Sequence, residues 1–159
     1  MIEPLAPDDA AALALNNAHA VELSWLDARR FAELVDRAFA ARRIGRVAFL
    51  LAFDQDADYD SPNFLWFRER YPRFVYVDRV VVAPAARGQG HARRLYEDLF
   101  DQARRRGHDH VVCEVNLQPP NPASDAFHAR LGFAEAGQAV LPGGAKAVRY
   151  LRRALSGDP

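Results

Sequence analysis

The chain has 159 residues, 50% of them apolar and 26% charged, the make-up of one ordinary globular domain large enough to bury a core. Its formal net charge is zero, so it lacks the basic surplus that binding to nucleic-acid backbones demands. Cys113 is the one cysteine and allows no internal disulfide; with no signal-peptide pattern at the start and no apolar run of membrane-spanning length, the expectation is a cytoplasmic domain over 1–159 without membrane attachment, monomeric or homodimeric.

Asp8 and Asp9 precede an Ala/Leu-rich stretch ending near Asn17, a capped first helix. A second helix is predicted from about Asp27 to Arg42, with Phe31, Leu34, Val35, Ala38 and Phe39 on one face and Gly45 as its breaker. Val47 to Phe53 reads as a short buried strand, and 54–73 as an irregular acidic and aromatic segment broken by Pro62 and Pro72. Residues 74–82 are apolar at nearly every position, as a central strand covered on both faces would be; Asp78 and Arg79 are the exceptions. From 90 to 106 the residues Ala92, Leu95, Tyr96, Leu99, Phe100 and Ala103 make one helical stripe, stopped by Gly107. A strand over Val111 to Val115 follows. Asn121 with Pro122 reads as an N-cap and first helical position, opening a helix through Leu131 that Gly132 ends. Two final strands, 133–141 and 145–151, turn at Pro142-Gly143-Gly144. The order is that of a mixed α/β domain.

The most informative stretch is the junction of strand 74–82 with the helix after it. A strand, a glycine loop and a helix N-terminus converge unpaired N–H groups on one point, where the helix dipole also favours negative charge. Residues Arg87 to Ala92 are therefore an anion site. The dinucleotide fingerprint fails because Arg93 stands where the third small residue belongs, and the P-loop fails for want of a Gly-Lys-Ser/Thr.

What remains, Arg87-x-x-Gly90-x-Ala92, resembles the signature of the GNAT superfamily of acyl-CoA-dependent N-acyltransferases. A second stretch, Asn121-x-x-Ser124-x-x-Phe127-His128-x-x-Leu131-Gly132-Phe133, is similar to that family's second signature, one helix and one strand further on. The resemblance runs from about Phe74 to Phe133. It implies a single α/β domain with a mixed, mainly antiparallel, splayed sheet flanked by helices, and acetyl-CoA as co-substrate with no metal. The reaction it implies is direct transfer of the acetyl group to a primary amine in a ternary complex. The backbone of Val80, Val81 and Val82 would pair with the pantetheine arm. The N–H groups of Arg87, Gly88, Gln89, Gly90, His91 and Ala92 would take the pyrophosphate. Asn121, Ser124 and Phe127 would complete the coenzyme side, Asn121 also capping its helix.

The chemistry needs a base for the attacking amine and an acid for the leaving thiolate. Asp78 stands where several members of the family carry a catalytic glutamate; an ion pair with an arginine is its alternative reading. His128 stands where the family most often has a tyrosine that donates to the coenzyme sulfur, with core packing as its alternative. Glu114 and Asn116, at the end of strand 111–116, are placed to hold or deprotonate an amine, unless Glu114 pairs with Arg79 across the sheet. Cys113 reads as a buried filler. The acidic run Asp54, Asp56, Asp58, Asp60 fails as an EF-hand, since Tyr59 and Leu65 occupy the required Gly and Glu positions. With Tyr59 and Trp66 it reads as the lining of an acceptor pocket, and Asn16, Asn17, His19 and Glu22 as its opposite wall. The competing function is a non-catalytic acyl-CoA-binding sensor.

Overall fold

The computed structural model describes residues 1–144 and 146–155, apart from the side chains of Val21 and Glu22. In chain order the elements are β1 (Ile2–Pro4), α1 (Ala10–Ala18), α2 (Ala20–Leu23), α3 (Ala28–Arg37), β2 (Ala40–Ile44), β3 (Ala48–Asp54), α4 (Pro62–Arg68), β4 (Val75–Val82), α5 (His91–Arg105), β5 (His110–Gln118), α6 (Pro122–Arg130), β6 (Ala134–Val140) and β7 (Ala147–Ala154), with a 3₁₀ turn over Pro84–Ala86. The strands form one sheet in the order β1-β2-β3-β4-β5-β7-β6. Neighbours are antiparallel except β4 and β5, which are parallel. This is the mixed, mainly antiparallel α/β sheet expected.

Strand alternation builds two cores on this sheet. Ala48, Leu50 and Ala52 of β3 pack with Leu95, Tyr96, Leu99, Phe100 and Ala103 of α5 on one face. Phe49, Leu51 and Phe53 pack with Phe31 and Leu34 of α3 and Phe64 and Phe67 of α4 on the other. Each buried Leu or Phe among them contributes roughly 1.5–3 kcal/mol, and each alanine less. The stripe that defined the helix after the glycine loop is the stripe that is buried.

Several segments differ from the sequence expectations. The helix begun at Asp27 ends at Arg37, not Arg42, and Ala38 is already extended. Residues 40–44 are β2, paired in register from Ala40↔Ala52 to Ile44↔Ala48. Ala-Ala-Arg-Arg prefers a helix by only a few tenths of a kcal/mol per residue, which pairing to β1 and β3 overrides. The segment 54–73 contains α4, opened by Ser61 with Pro62 in its first turn and held by Phe64 and Phe67, three apart and fully buried. A short first strand, β1, was not foreseen. The last strand begins at Ala147; the expected start at Ala145 lies outside the described residues.

What positions the site is a gap in the sheet. The β4–β5 pairing is confined to Val75↔Val111 and Tyr76↔Val112. Beyond these rungs the two strands diverge, and each finds its partners on its other side, β4 on β3 and β5 on β7. The edges facing each other across the resulting slot are left without a ladder.

Candidate active site

The slot opens onto the glycine loop. Gly88 and Gly90 have φ of +80° and +81°, a left-handed backbone that disfavours any residue with a Cβ. Gly90 is the N-cap of α5 and has no side chain to satisfy the first turn. The first main-chain bond of the helix runs from Arg94 N–H to Gly90 O, at 3.0 Å. Among the described residues, no backbone acceptor takes the N–H groups of Gly88 through Arg93. Six donors thus converge at the positive end of a fifteen-residue helix.

Two grooves meet at this loop. One, of about 390 Å³, is lined by the loop together with Phe127 and Arg130. The other, of about 330 Å³, runs along Val80 to Val82 past His19 and Asn121. They share Val82 and Arg87, making one path from the loop into the slot. Ala83 N–H bonds the carbonyl of Val47, the residue before β3, at 2.7 Å, so by the alternation of an antiparallel pair Val81 also points its main chain at β3. The main-chain groups of Val80 and Val82 face the slot. Asn121 caps α6 by accepting from Ser124 N–H at 3.2 Å while lining the path. Gln89 is exposed and lies outside both linings, bonded to His91 at 3.2 Å, and Ser124 is outside both as well. The geometry fits a long phosphorylated ligand: donors for an anion at one end, an apolar path with free strand donors and acceptors leading inward.

On the α3/α4 face of the sheet lies a third cavity, of about 210 Å³, lined by Tyr59, Asn63, Tyr76, Asp78, Glu114, Asn116 and Lys146 among others. Tyr76 OH donates to Glu114 Oε1 at 2.8 Å. Glu114 is half-buried, and burial pushes its carboxyl up to about 7; the Tyr76 hydrogen bond opposes the rise and the Asp78 charge adds to it. A carboxylate poised there, beside a slot, suits proton removal near neutral pH.

A model of the acetyltransferase (GNAT) family matches residues 39–133. The chain belongs to the GNAT family. Its members are acetyl-CoA-dependent N-acetyltransferases. The chain is 28% identical over 114 residues to the L-2,4-diaminobutyric acid acetyltransferase of Wolinella succinogenes, a match that covers 65% of this chain and 66% of that enzyme. Its fold is also that of a ribosomal-protein-alanine N-acetyltransferase from Brucella melitensis, with TM-score 0.74 and 22% identity over 97% of this chain and 99% of that one. The structure of yncA from Salmonella typhimurium with its cofactor acetyl-CoA superposes at TM-score 0.71, with 22% identity over 100% and 95% of the two chains.

Within this GNAT chain, Asp78 is paired. Arg79 is opposite Leu51 and Val77 opposite Ala52, so Asp78 is the extra residue of a β-bulge. The bulge turns two consecutive side chains to the same side. Arg79 Nε donates to Asp78 Oδ2 at 2.7 Å, Tyr59 OH donates to Asp78 Oδ1 at 2.5 Å, and Arg79 Nη1 donates to Asn16 Oδ1 at 2.8 Å. Both members of the ion pair are buried. Burial and the Asp78 charge raise the Tyr59 hydroxyl well above its ordinary range, so it stays a donor. The Arg79–Glu114 pairing that strand neighbours suggest is absent; Arg79 is committed to Asp78 and Asn16.

His128 faces the α5 core, away from both grooves. Its Nδ1 donates to Ser124 O at 2.8 Å, since a carbonyl only accepts, and its Nε2 therefore accepts from Tyr96 OH at 2.8 Å. The rings of Tyr96, Phe127 and Phe133 surround it, and burial lowers its pKa. Trp66 is outside the acceptor cavity; it stacks on Tyr150 at 4.1 Å under the Arg70 guanidinium. Of the opposite wall, Asn16 is buried on Arg79, and Asn17 ties down Leu26 through two bonds of 2.9 Å. His19 reaches Arg87 at 3.4 Å, and the side chain of Glu22 lies outside the described residues. Cys113 is buried on the α5 face of β5, and burial raises its thiol pKa.

Tyr76, Asn63 and Lys146 were missed from sequence. Tyr76 lies two residues before Asp78 in an apolar strand, and Lys146 is the one lysine of the chain; these were the available signals. Among the described residues, no group of three or more His, Cys, Asp or Glu side chains is placed to hold a metal, and no helix is long and apolar enough to cross a membrane.

Proposed function

We propose that this GNAT chain transfers an acetyl group from acetyl-CoA to a primary amine of a small acceptor, by direct attack in a ternary complex, with Glu114 as the general base. The observation that carries the reading is Glu114 itself: a carboxyl raised to about 7, held by Tyr76, in a cavity beside the β4–β5 slot. The free N–H groups of Gly88 to Ala92, with Arg87, hold the pyrophosphate. The main chain of Val80 and Val82 pairs with the pantetheine arm, while Val81 stays on β3. When bound, acetyl-CoA supplies the acetyl group as an activated thioester. The Val82 N–H, facing the slot, is placed to stabilise negative charge developing on the acetyl oxygen. Glu114 takes the proton that an incoming ammonium must lose before its nitrogen has a lone pair, and Asn63 and Asn116 orient that amine.

Asp78 is set aside as base because both its oxygens are taken, and it acts through Arg79 and Asn16 to fix the cavity wall. His128 is set aside as acid because its one proton is committed to Ser124 O. It positions α6 against α5. A small acceptor is favoured by the cavity volume, about 210 Å³, which is room for about seven waters, and by the relative named for L-2,4-diaminobutyric acid.

The test is thiol release from acetyl-CoA with a panel of L-2,4-diaminobutyrate, other diamino acids, polyamines and peptides with free N-termini. Turnover of a small amine supports the reading. Saturable acetyl-CoA binding with no thiol release for any amine would make the protein a sensor instead.

A further inference from the structure

The acceptor cavity contains two cations of different standing. Arg79 is spent, with its Nε on Asp78 and one terminal nitrogen on Asn16. Lys146 is unspent: it lines the same cavity, and among the described residues its ammonium makes no hydrogen bond or ion pair. Its main chain is fixed, since Lys146 O accepts from Leu141 N–H at 2.8 Å across the β6–β7 turn.

Strand parity puts Lys146 on the working face. Glu114 is opposite Tyr150 and Asn116 opposite Val148. Val148 and Tyr150 belong to the core on the α3/α4 face, and Lys146, two residues before Val148, is in phase with them. At about 3.4 Å per residue, Lys146 stands roughly 14 Å along the strand from the level of Glu114, and its stem spans part of that distance. The cavity therefore carries on one lining a titratable carboxyl and an ammonium that, among the described residues, has no partner.

We infer that the acceptor is zwitterionic: an amino acid whose side-chain amine meets Glu114 while its carboxylate is held by Lys146. The inference rests on the small-acceptor reading above and narrows it. An amine without a carboxylate leaves Lys146 unpaired, and a second ammonium on it would place positive charge against the lysine. A carboxylate pairs with it by a charge-assisted hydrogen bond. The lone ammonium, with no guanidinium left over, suits a carboxylate better than a phosphate, which is commonly clamped by several donors.

The experiment compares L-2,4-diaminobutyrate with its decarboxylated twin, 1,3-diaminopropane, which presents the same terminal amine without the carboxylate. Thiol release is followed for the wild type and for Lys146→Met, Lys146→Arg and Lys146→Glu. For the wild type, kcat/KM favours the amino acid by about tenfold, mostly through KM, the worth of one partly exposed charge-assisted hydrogen bond. Lys146→Met brings the ratio close to one, Lys146→Arg restores most of it, and Lys146→Glu inverts it. Lys146 is exposed, so these variants test recognition and not folding. Equal use of the twins by the wild type, or a ratio that survives Lys146→Met, overturns the carboxylate readout and leaves the acetyl-transfer reading standing. Turnover of polyamines or peptides with neither twin accepted also overturns it. Absence of thiol release with every amine defeats the acetyl-transfer reading, and this inference with it.

Discussion

Tyr76 donates to Glu114 at 2.8 Å just beyond the last paired rung of β4 and β5, Tyr76↔Val112. The bond spans the mouth of the slot at its narrow end, so the base is anchored to the one place where the two strands are locked together. Tyr76 is fully buried, and burial together with the Glu114 charge keeps its hydroxyl protonated well above the ordinary tyrosine range. It therefore remains a donor in both ionisation states of Glu114.

The raised Glu114 pKa carries a stability consequence with a definite sign. The folded chain holds this proton up to about 7, whereas an unfolded glutamate loses it near 4.3. Folding stability therefore falls as pH rises through this window, and the cost is fully present above pH 7. Glu114→Gln, a mimic of the protonated form, is more stable than wild type at pH 8 by up to about 3–4 kcal/mol and melts correspondingly higher. At pH 4 the difference nearly vanishes. Calorimetry at the two pH values checks it.

Asp78→Asn leaves Arg79 buried without its counter-charge. Breaking a buried pair in this way costs about 3–5 kcal/mol, and the variant melts well below wild type. If Asp78 is structural, the surviving activity keeps the rising limb of the wild-type pH–rate profile, with its bend moved down because the Asp78 charge helps to raise Glu114. A lost limb with an unchanged melting temperature would return Asp78 to the mechanism.

His128→Ala removes one of two partners of the Tyr96 hydroxyl in the α5 core, Cys113 being the other, and opens a void between Phe127 and Phe133. The expected destabilisation is about 0.5–1.5 kcal/mol from the lost hydrogen bond, to which the void adds, with kcat retained at temperatures where the variant is folded. A large fall in kcat with the melting temperature unchanged would restore the acid role.

Gly90→Val forces a β-branched residue to φ +81°, although a Cβ there would meet nothing within 4 Å. The cost is conformational, about 1–2 kcal/mol, and it falls on the loop that binds phosphate. Titration calorimetry with coenzyme A should show affinity lowered by about tenfold or more, since about 1.4 kcal/mol is a factor of ten. Unchanged affinity would place the pyrophosphate elsewhere.

The parts of the site that were legible in the sequence are local. Gly88, Gly90 and the stripe from Ala92 to Ala103 lie within one strand–loop–helix unit, and their roles follow from φ and period alone. Asn121 with Pro122 announced α6 for the same reason. The parts that were not legible depend on partners far along the chain. The bulge that frees Asp78 to meet Arg79 exists only because β3 skips a residue between Leu51 and Ala52. Whether Phe127 or His128 turns to the groove is decided by the packing of α6 on Tyr96, 32 residues away. The Tyr76–Glu114 bond joins residues 38 apart. In β2 local propensity pointed the wrong way, because Ala40 to Arg43 suit a helix until a neighbouring strand claims them.

The most direct test of Glu114 as the base is a pH–rate profile of thiol release with an accepted amine, for wild type and Glu114→Gln. For the wild type, log kcat/KM rises to a bend at about 7, the Glu114 value, apart from any limb near 10 belonging to the amine. Glu114→Gln loses that bend and is slower by roughly 10²–10⁴-fold. A Glu114→Gln enzyme that keeps both the rate and the bend contradicts the assignment.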